Sequence, residues 1–136
     1  MTVRKTGFAA LAGLAVLAGV GAGGAYAQQR SGLTALNGIE GGQWVFREGG
    51  REVQKMCLRN PAALIQINHP GAQCNQVVLE NGKDSAAVHY TCPSHGWGRT
   101  SITVETSKLV VVTTAGVRDG SPFSNELEGR KVGSCG

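Results

Sequence analysis

Four cysteines limit the folds open to this chain more than any other feature of its sequence. They are Cys57, Cys74, Cys92 and Cys135. An even number of cysteines in a small exported domain is typical of a disulfide framework. Three pairings are possible, and the sequence alone does not choose among them. We favour Cys57–Cys74, which closes a local loop, together with Cys92–Cys135, which would hold down the end of the chain.

The N-terminal residues predict export. Arg4 and Lys5 form a short cationic start, and residues 7–24 are uncharged and almost all Ala, Leu, Val and Gly. Ala25-Tyr26-Ala27 then matches the small-x-small pattern at which signal peptidase cleaves. We therefore expect a signal peptide at 1–27 and a mature protein that is periplasmic or secreted, within a Gram-negative bacterial envelope. An uncleaved membrane anchor is the alternative, since about 18 apolar residues can just cross a bilayer.

The charge of the chain gives no reason to expect nucleic-acid binding. The whole chain has 13 Lys and Arg against 9 Asp and Glu, a net charge of +4. Loss of Arg4 and Lys5 with the signal peptide lowers the net charge by two, to +2. The mature sequence has no run of basic residues and no interleaving of aromatic with basic residues, which single-strand binders use. We expect no nucleic-acid partner, and no membrane span once the signal peptide is removed.

Most of the mature sequence predicts strands and tight turns. Residues 52–58 and 85–92 alternate polar with apolar side chains, the pattern of a strand with one buried face. Asn81-Gly82 is a strong hairpin-turn signal. Asn60-Pro61 is typical of a helix start, with an asparagine cap before a proline in the first turn. These signals predict sequential strands interrupted by one short helix.

The predicted domain organisation is simple. Residues 28–41 are rich in Gly and polar side chains, and they predict a flexible leader. Residues 42–136 predict a single mainly β (α+β) domain, a curved antiparallel meander of about six strands with one short helix, stapled by disulfides. The last strand, 122–135, is expected at an edge of the sheet, with Val132 facing the core.

Four motifs occur in an order that matches a known family. They are an early Gly42-Gln43-Trp44 strand, Cys57-Leu58-Arg59-Asn60-Pro61 leading into a short helix, a strand ending His89-Tyr90-Thr91-Cys92, and a closing Gly129-Arg130-Lys131-Val132-Gly133-Ser134-Cys135. In these motifs the chain resembles the exported bacterial family known as domain of unknown function 3617. Val45 departs from the family pattern, which has an acidic residue after the first tryptophan. The resemblance implies export and a common architecture, and it brings no activity, substrate or catalytic residue.

No group of polar residues forms a catalytic pattern. His69 and His95 stand in predicted turns, where a histidine is usually a solvated side chain, and His89 points away from its apolar strand neighbours. Glu126 and Glu128 share one face of the predicted last strand, where acidic side chains are typical of protection against edge-to-edge aggregation. We expect no catalytic residue, no metal ligand and no cofactor.

Trp97 is the residue most open to a binding role. It lies between Gly96 and Gly98, beside a predicted turn, which is unusual for a core residue. His95 and Arg99 flank it, so we predict a weakly cationic aromatic site of Trp97, His95 and Arg99. The alternative is that Trp97 only caps the end of the sheet.

The sequence therefore favours a non-enzymatic binding or envelope accessory module, whose partner is a small ligand or an envelope protein. The alternative is an envelope enzyme or metal-handling protein that uses Cys92, His95 and Trp97. Cys92-Pro93-Ser94-His95 has the C-x-x-H spacing of some copper and zinc ligands. A second ligand pair, which a tetrahedral zinc site would need, is absent from the sequence.

Overall fold

The computed structural model describes residues 32–136, so the predicted signal peptide lies outside the described residues. The described chain has seven strands: β1 Gly42–Glu48, β2 Arg51–Leu58, β3 Asn75–Asn81, β4 Ser85–Cys92, β5 Gly96–Thr106, β6 Leu109–Arg118 and β7 Ser121–Gly133. Two short 3-10 helices cover Thr34–Gly38 and Pro61–Leu64. Within residues 32–136, neither helix is long and apolar enough to cross a membrane.

All seven strands belong to one antiparallel sheet in the order β2-β1-β7-β6-β5-β4-β3. Strands β3 to β7 form the predicted meander, and the β1–β2 hairpin joins the same sheet beside β7. The mainly β, disulfide-stapled fold is thus confirmed, with seven strands rather than about six. Two hairpins turn through two residues of positive φ, Gly49-Gly50 and Asp119-Gly120. Such turns match the twist of antiparallel strands.

The hydrophobic core lies on one face of the curved sheet. Alternate residues of the strands point to it, and the two 3-10 helices cover it. Its fully buried large side chains are Trp44, Tyr90, Phe46, Leu36, Leu58, Leu64, Ile65, Ile102, Val88, Val110 and Val112. The alternation that predicted the strands therefore also identifies the buried face.

The prediction of a flexible leader over 28–41 is wrong for its second half. Leu33, Leu36 and Ile39 are buried against the sheet, and the 3-10 helix lies between the first and last of them. These residues recur every third position, and a 3-10 helix has three residues per turn, so all three fall on one side. The glycines in this segment are typical of a flexible loop, and for that reason the regular spacing of its three apolar residues was overlooked. Residues 28–31 lie outside the described residues.

Glu40 fastens the first 3-10 helix to the sheet. Its carboxylate accepts hydrogen bonds from the Ser107 hydroxyl at 2.6 Å and from the Lys131 ammonium at 3.2 Å. The hydrogen bond from Ser107, followed by that from Lys131, lowers the pKa of Glu40 below its ordinary value. The covering segment is therefore held partly by an ionised side chain.

The second 3-10 helix begins where the sequence predicts a helix. The Asn60 side chain accepts a hydrogen bond from the backbone N–H of Ala62 at 3.0 Å, and Pro61 opens the first turn. The helix lasts only one turn. The rest of the connection from β2 to β3 buries Ile65 and Ile67 against the sheet.

All four cysteines form disulfides, but the pairing favoured from the sequence is wrong. The bonds are Cys57–Cys135 and Cys74–Cys92. Cys74 and Cys92 extend the β3–β4 register by one pair, which brings their Cα atoms to 4.1 Å. Cys57 and Gly133 both pair with Gln43 of β1, from opposite sides, which brings the end of β7 and Cys135 close to Cys57. Two disulfides indicate an oxidising compartment outside the cytoplasm.

Strand β7 is also not an edge strand, because it lies between β1 and β6. Its register with β1 shifts after Lys131, which leaves Val132 as the extra residue of a bulge. Val132 is therefore 58% exposed rather than part of the core. Glu126 and Glu128 lie on the outer face of this central strand. An interpretation as edge protection does not apply to them.

Candidate functional site

Trp97 lies on the outer face of β5, opposite the core, and is 43% exposed. Gly98 and Thr100, which alternate with the outward-facing residues of the same strand, face inward and are buried. Its ring stacks on His89 of β4, with centroids 5.6 Å apart and an angle of 27° between the planes. The β4–β5 register pairs Trp97 with Thr91, so His89 is its diagonal neighbour. The two rings make a stacked aromatic pair on the surface.

The glycines that flank Trp97 are explained by what lies on the inner side of the sheet. A Cβ at position 98 would collide with the Tyr90 ring, which lies across that position. Gly96 has φ of +115° and passes so close to the Val117 carbonyl that a side chain would not fit. These glycines therefore serve the buried side, and they leave Trp97 to project outward.

Arg99 lies two residues beyond Trp97 on the same outer face, and it is paired with His89 in the register. It is exposed, and within residues 32–136 its guanidinium has no hydrogen-bond or ion-pair partner. On β6, small or slim side chains face these residues: Ala115 opposite Arg99 and Val117 opposite Trp97. We call His89, Thr91, Trp97, Arg99, Ala115 and Val117 the Trp97 face. It is a part of the outer sheet surface with one aromatic stack and one uncompensated positive charge.

His95 is separated from this face, although the sequence placed it in the same site. It lies in the β4–β5 turn, and its Nδ1 is 3.5 Å from the Asp119 carboxylate in the β6–β7 turn. Both side chains line a cleft of about 370 Å³ at the end of the sheet. The lining residues are Asn68, His69, Pro70, Gly71, Ala72, His95, Arg118 and Asp119. The structure thus brings Trp97 and Arg99 together and turns His95 toward a different surface.

His69, predicted as a solvated turn histidine, is 3% exposed and holds the end of the sheet together. Its Nε2 lies 3.2 Å from the carbonyl oxygen of His95 and 3.1 Å from that of Val117. Carbonyl oxygens only accept hydrogen bonds, so in the neutral ring Nε2 carries the proton. Nδ1 then accepts from the Tyr90 hydroxyl at 2.9 Å. Both ring nitrogens are occupied, so His69 offers neither of them to the cleft.

Tyr90, the partner of His69, is fully buried. Burial raises the pKa of Tyr90, and a hydrogen bond with Thr114 partly opposes this effect. Thr114 in turn shares a buried hydrogen bond of 2.8 Å with Thr100. The chain Thr100–Thr114–Tyr90–His69 is therefore a satisfied polar network inside the core, which is a structural role.

The comparisons with known proteins give no relative from which this site could be interpreted. The chain matches no protein-family model, no curated protein and no solved structure. The resemblance described above therefore rests on the sequence motifs alone, and the chemistry of the site must be argued from its own geometry.

In the folded protein the C-x-x-H motif has no thiolate with which to bind a metal. Cys92 is 1% exposed and bonded to Cys74, and a disulfide sulfur is not the thiolate that copper or zinc binds. His95, the other residue of the motif, pairs with Asp119. Among the residues that the structure describes, no three His, Cys, Asp or Glu side chains come together as potential metal ligands.

His89 is the residue of the Trp97 face that the sequence reasoning missed. The strand pattern places it on the outer face, and the tight turn between β4 and β5 brings it diagonally opposite Trp97. Counting back from that turn pairs residue 91 with 97 and residue 89 with 99. That count was available in the sequence. Arg118 and Asp119 come to His95 because β6 pairs with β5 and the β6–β7 turn lies at the same end of the sheet as the β4–β5 turn.

Proposed function

We propose that this protein is a non-enzymatic binding module of the bacterial envelope, periplasmic or secreted, which holds its ligand on the Trp97 face. The signal-peptide pattern at 1–27 and the two disulfides support an extracytoplasmic site of action. The ligand is a ring compound with an apolar C–H face and a negative charge, of which an acidic saccharide is the type we test.

The observation that carries this proposal is the exposure of Trp97. A tryptophan that is 43% exposed on the outer face of the sheet leaves a large apolar ring in water. Such rings favour partners that are flat and apolar on one side, and the stack on His89 fixes the orientation of the ring beforehand. A pre-oriented side chain loses less conformational entropy when a ligand binds.

Arg99 supports the anionic part of the proposed ligand. It lies beside the stack without a carboxylate partner among the described residues. An unpaired guanidinium can form a two-point hydrogen-bonded pair with a carboxylate, or with a phosphate or sulfate. Thr91, exposed on β4 directly opposite Trp97 in the register, adds a hydroxyl that can bond to sugar hydroxyl groups.

Tryptophan fluorescence tests this proposal directly, because the chain has only two tryptophans. Trp44 is fully buried and Trp97 is exposed, so acrylamide should quench only the Trp97 part of the emission. An oligogalacturonate that binds the face should protect Trp97 from acrylamide. A neutral malto-oligosaccharide of the same length should protect it less. Trp97→Ala should weaken binding at least about tenfold, which corresponds to about 1.4 kcal/mol.

Matched variants separate the face from the rest of the surface. Arg99→Gln should remove the preference for the acidic saccharide and its dependence on salt, whereas Lys83→Gln, the same charge change elsewhere, should leave both unchanged. Val132→Ala is the control for loss of an exposed apolar side chain. If neither saccharide protects Trp97 at millimolar concentration, the proposed ligand class is wrong. If the purified protein instead carries stoichiometric metal that EDTA removes, the metal-handling alternative replaces this function.

A further inference from the structure

The sheet has two free edges, on β2 and on β3, and they run in the same direction. Six antiparallel pairings connect the seven strands. Each antiparallel pairing reverses the strand direction, and six reversals restore it. Strands β2 and β3 therefore point in the same direction. They are not hydrogen-bonded to each other, and the connection from β2 to β3 runs between them. An added strand could therefore run antiparallel to both β2 and β3, as every neighbouring pair in the sheet does.

A groove of about 350 Å³ lies between these two edges. Gln54 and Met56 of β2 line one side, Gln76 of β3 lines another, and the connection forms the floor. We call this groove and the two free edges the seam. The floor residues are Asn60, Ala62, Ala63, Gln66, Ile67, Pro70 and Gly71.

Exposed apolar side chains are concentrated at the seam. Six large hydrophobic residues are exposed in the described chain, and four of them lie on the edge strands. They are Val53 on β2 and Val77, Val78 and Leu79 on β3, each between 49% and 61% exposed. Natural edge strands are usually protected by lysine, proline, inward charge or a bulge. Strand β2 carries Lys55 and a register shift at Val53, and β3 has a register shift at Leu79. Residues 75–78, which precede that shift, contain no lysine, proline or charged residue, and they are the part of the edge on which another strand can pair.

The polar groups of the seam fit a peptide backbone. The side-chain amides of Gln54 and Gln76 have no partner within residues 32–136, whereas Gln66 is used internally, donating to the carbonyls of His69 and Ala72. A primary amide both donates and accepts, as a peptide group does. The free edges add their own unpaired N–H and C=O groups.

The charges at the seam indicate the sign of the charge that a partner should carry. Arg51 begins β2 and Arg59 follows its end, and neither has an ion-pair partner among the described residues. Lys55, between them, pairs with Glu52 at 3.4 Å. The β2 edge therefore presents an uncompensated positive charge at each end, which favours acidic residues at both ends of an incoming strand.

We propose that the seam binds an extended segment of a partner protein as an eighth strand, antiparallel to β2 and β3. The segment alternates apolar with small polar residues and carries acidic residues at its two ends. This is strand addition at a sheet edge, in which backbone hydrogen bonds supply affinity and side chains supply specificity. It is separate from ligand binding on the Trp97 face, and neither proposal depends on the other.

A synthetic peptide tests the seam. The probe is Asp-Val-Thr-Val-Thr-Val-Asp with blocked ends, titrated into the oxidised protein while backbone amide exchange is followed by NMR. We expect slower exchange in β3 and β2 and unchanged exchange in the central strands. Replacing the middle valine of the peptide by proline should abolish binding, since proline lacks the N–H of a paired strand. A version with lysine at both ends should bind at least about fivefold more weakly.

Variants of the protein complete the test. Val77→Lys, which adds an edge charge, should weaken binding at least tenfold, and Val132→Lys, an exposed valine away from the seam, should not. Arg51→Gln with Arg59→Gln should weaken binding of the acidic probe and not of one with serine ends. The proposal is overturned if millimolar probe leaves β2 and β3 exchange unchanged. It is equally overturned if β3 instead pairs with a second copy, seen as concentration-dependent association that Val77→Lys removes.

Discussion

The hydrogen bond between His69 and Tyr90 can be isolated by a double-mutant cycle. His69 Nδ1 lies 2.9 Å from the Tyr90 hydroxyl, and Nε2 contacts two carbonyl oxygens, that of His95 in the β4–β5 turn and that of Val117 on β6. Tyr90→Phe removes one partner of the first bond and leaves Nδ1 buried without a donor. His69→Ala removes all three contacts. His69→Gln brings an amide N–H near the position of Nε2, and so keeps the carbonyl contacts but not the bond to Tyr90.

The expected losses of stability follow from these contacts. Loss of the bond to Tyr90 and of the Nε2 proton shared between two carbonyl oxygens, together with a residual cavity, gives a loss of about 3–5 kcal/mol for His69→Ala. Tyr90→Phe should lower the free energy of unfolding by about 1–3 kcal/mol, since a buried acceptor is left unsatisfied. In the His69→Ala background, Tyr90→Phe should lower the free energy of unfolding by about 1 kcal/mol less than it does in the wild type, because the bond between the two side chains is already lost. The free energy of unfolding of His69→Gln should lie between those of the wild type and His69→Ala.

Urea unfolding at neutral pH measures all four corners of the cycle. Trp44 is buried and stacks near Phe46, with ring centroids 6.3 Å apart, so its fluorescence reports the core. A coupling energy below about 0.5 kcal/mol would mean that the two side chains act independently. The assigned tautomer would then be unsupported. Nitrogen-15 shifts of the His69 ring give a second readout, which should show a protonated Nε2 and a bare Nδ1.

Two further predictions concern the disulfides and the acidic anchor. Peptide mapping of the oxidised protein should recover Cys57 linked to Cys135 and Cys74 linked to Cys92. Removing the first bond, which spans 78 residues, should lower stability by about 4–5 kcal/mol by the loop-closure estimate. Any other linked pair would contradict the fold. The lowered pKa of Glu40 contributes stability above its ordinary value of 4.5, and this is lost as pH falls through the folded-state value. The stability difference between wild type and Glu40→Gln should therefore shrink between pH 7 and pH 3, and a constant difference would exclude the linkage.

Local sequence signals were sufficient for the strands and for one part of the site. Strand alternation and the Asn60 cap act between residues close in the chain, so each is readable without knowing the fold. The turn predicted at Asn81-Gly82 lies two residues later, at Lys83-Asp84, because Asn81 still pairs with Ala86 and the Gly82 N–H donates to the Ser85 carbonyl. The outward position of Trp97 and Arg99 follows from the same alternation. The presence of disulfides, and with it an oxidising environment, follows from the even number of cysteines, again without tertiary information.

Only the tertiary structure decided which distant segments meet. The pairing of β1 with β7 is a contact between the two ends of the domain, and it makes β7 a central strand and sets Cys135 beside Cys57. Side-chain pattern specifies which face of a strand is buried, but it does not specify which strand lies alongside. The burial of His69 beneath two turns and the seam between β2 and β3 depend on that lateral order. Backbone hydrogen bonding, the force that joins strands, is nearly the same for every residue, and therefore leaves little trace in the sequence.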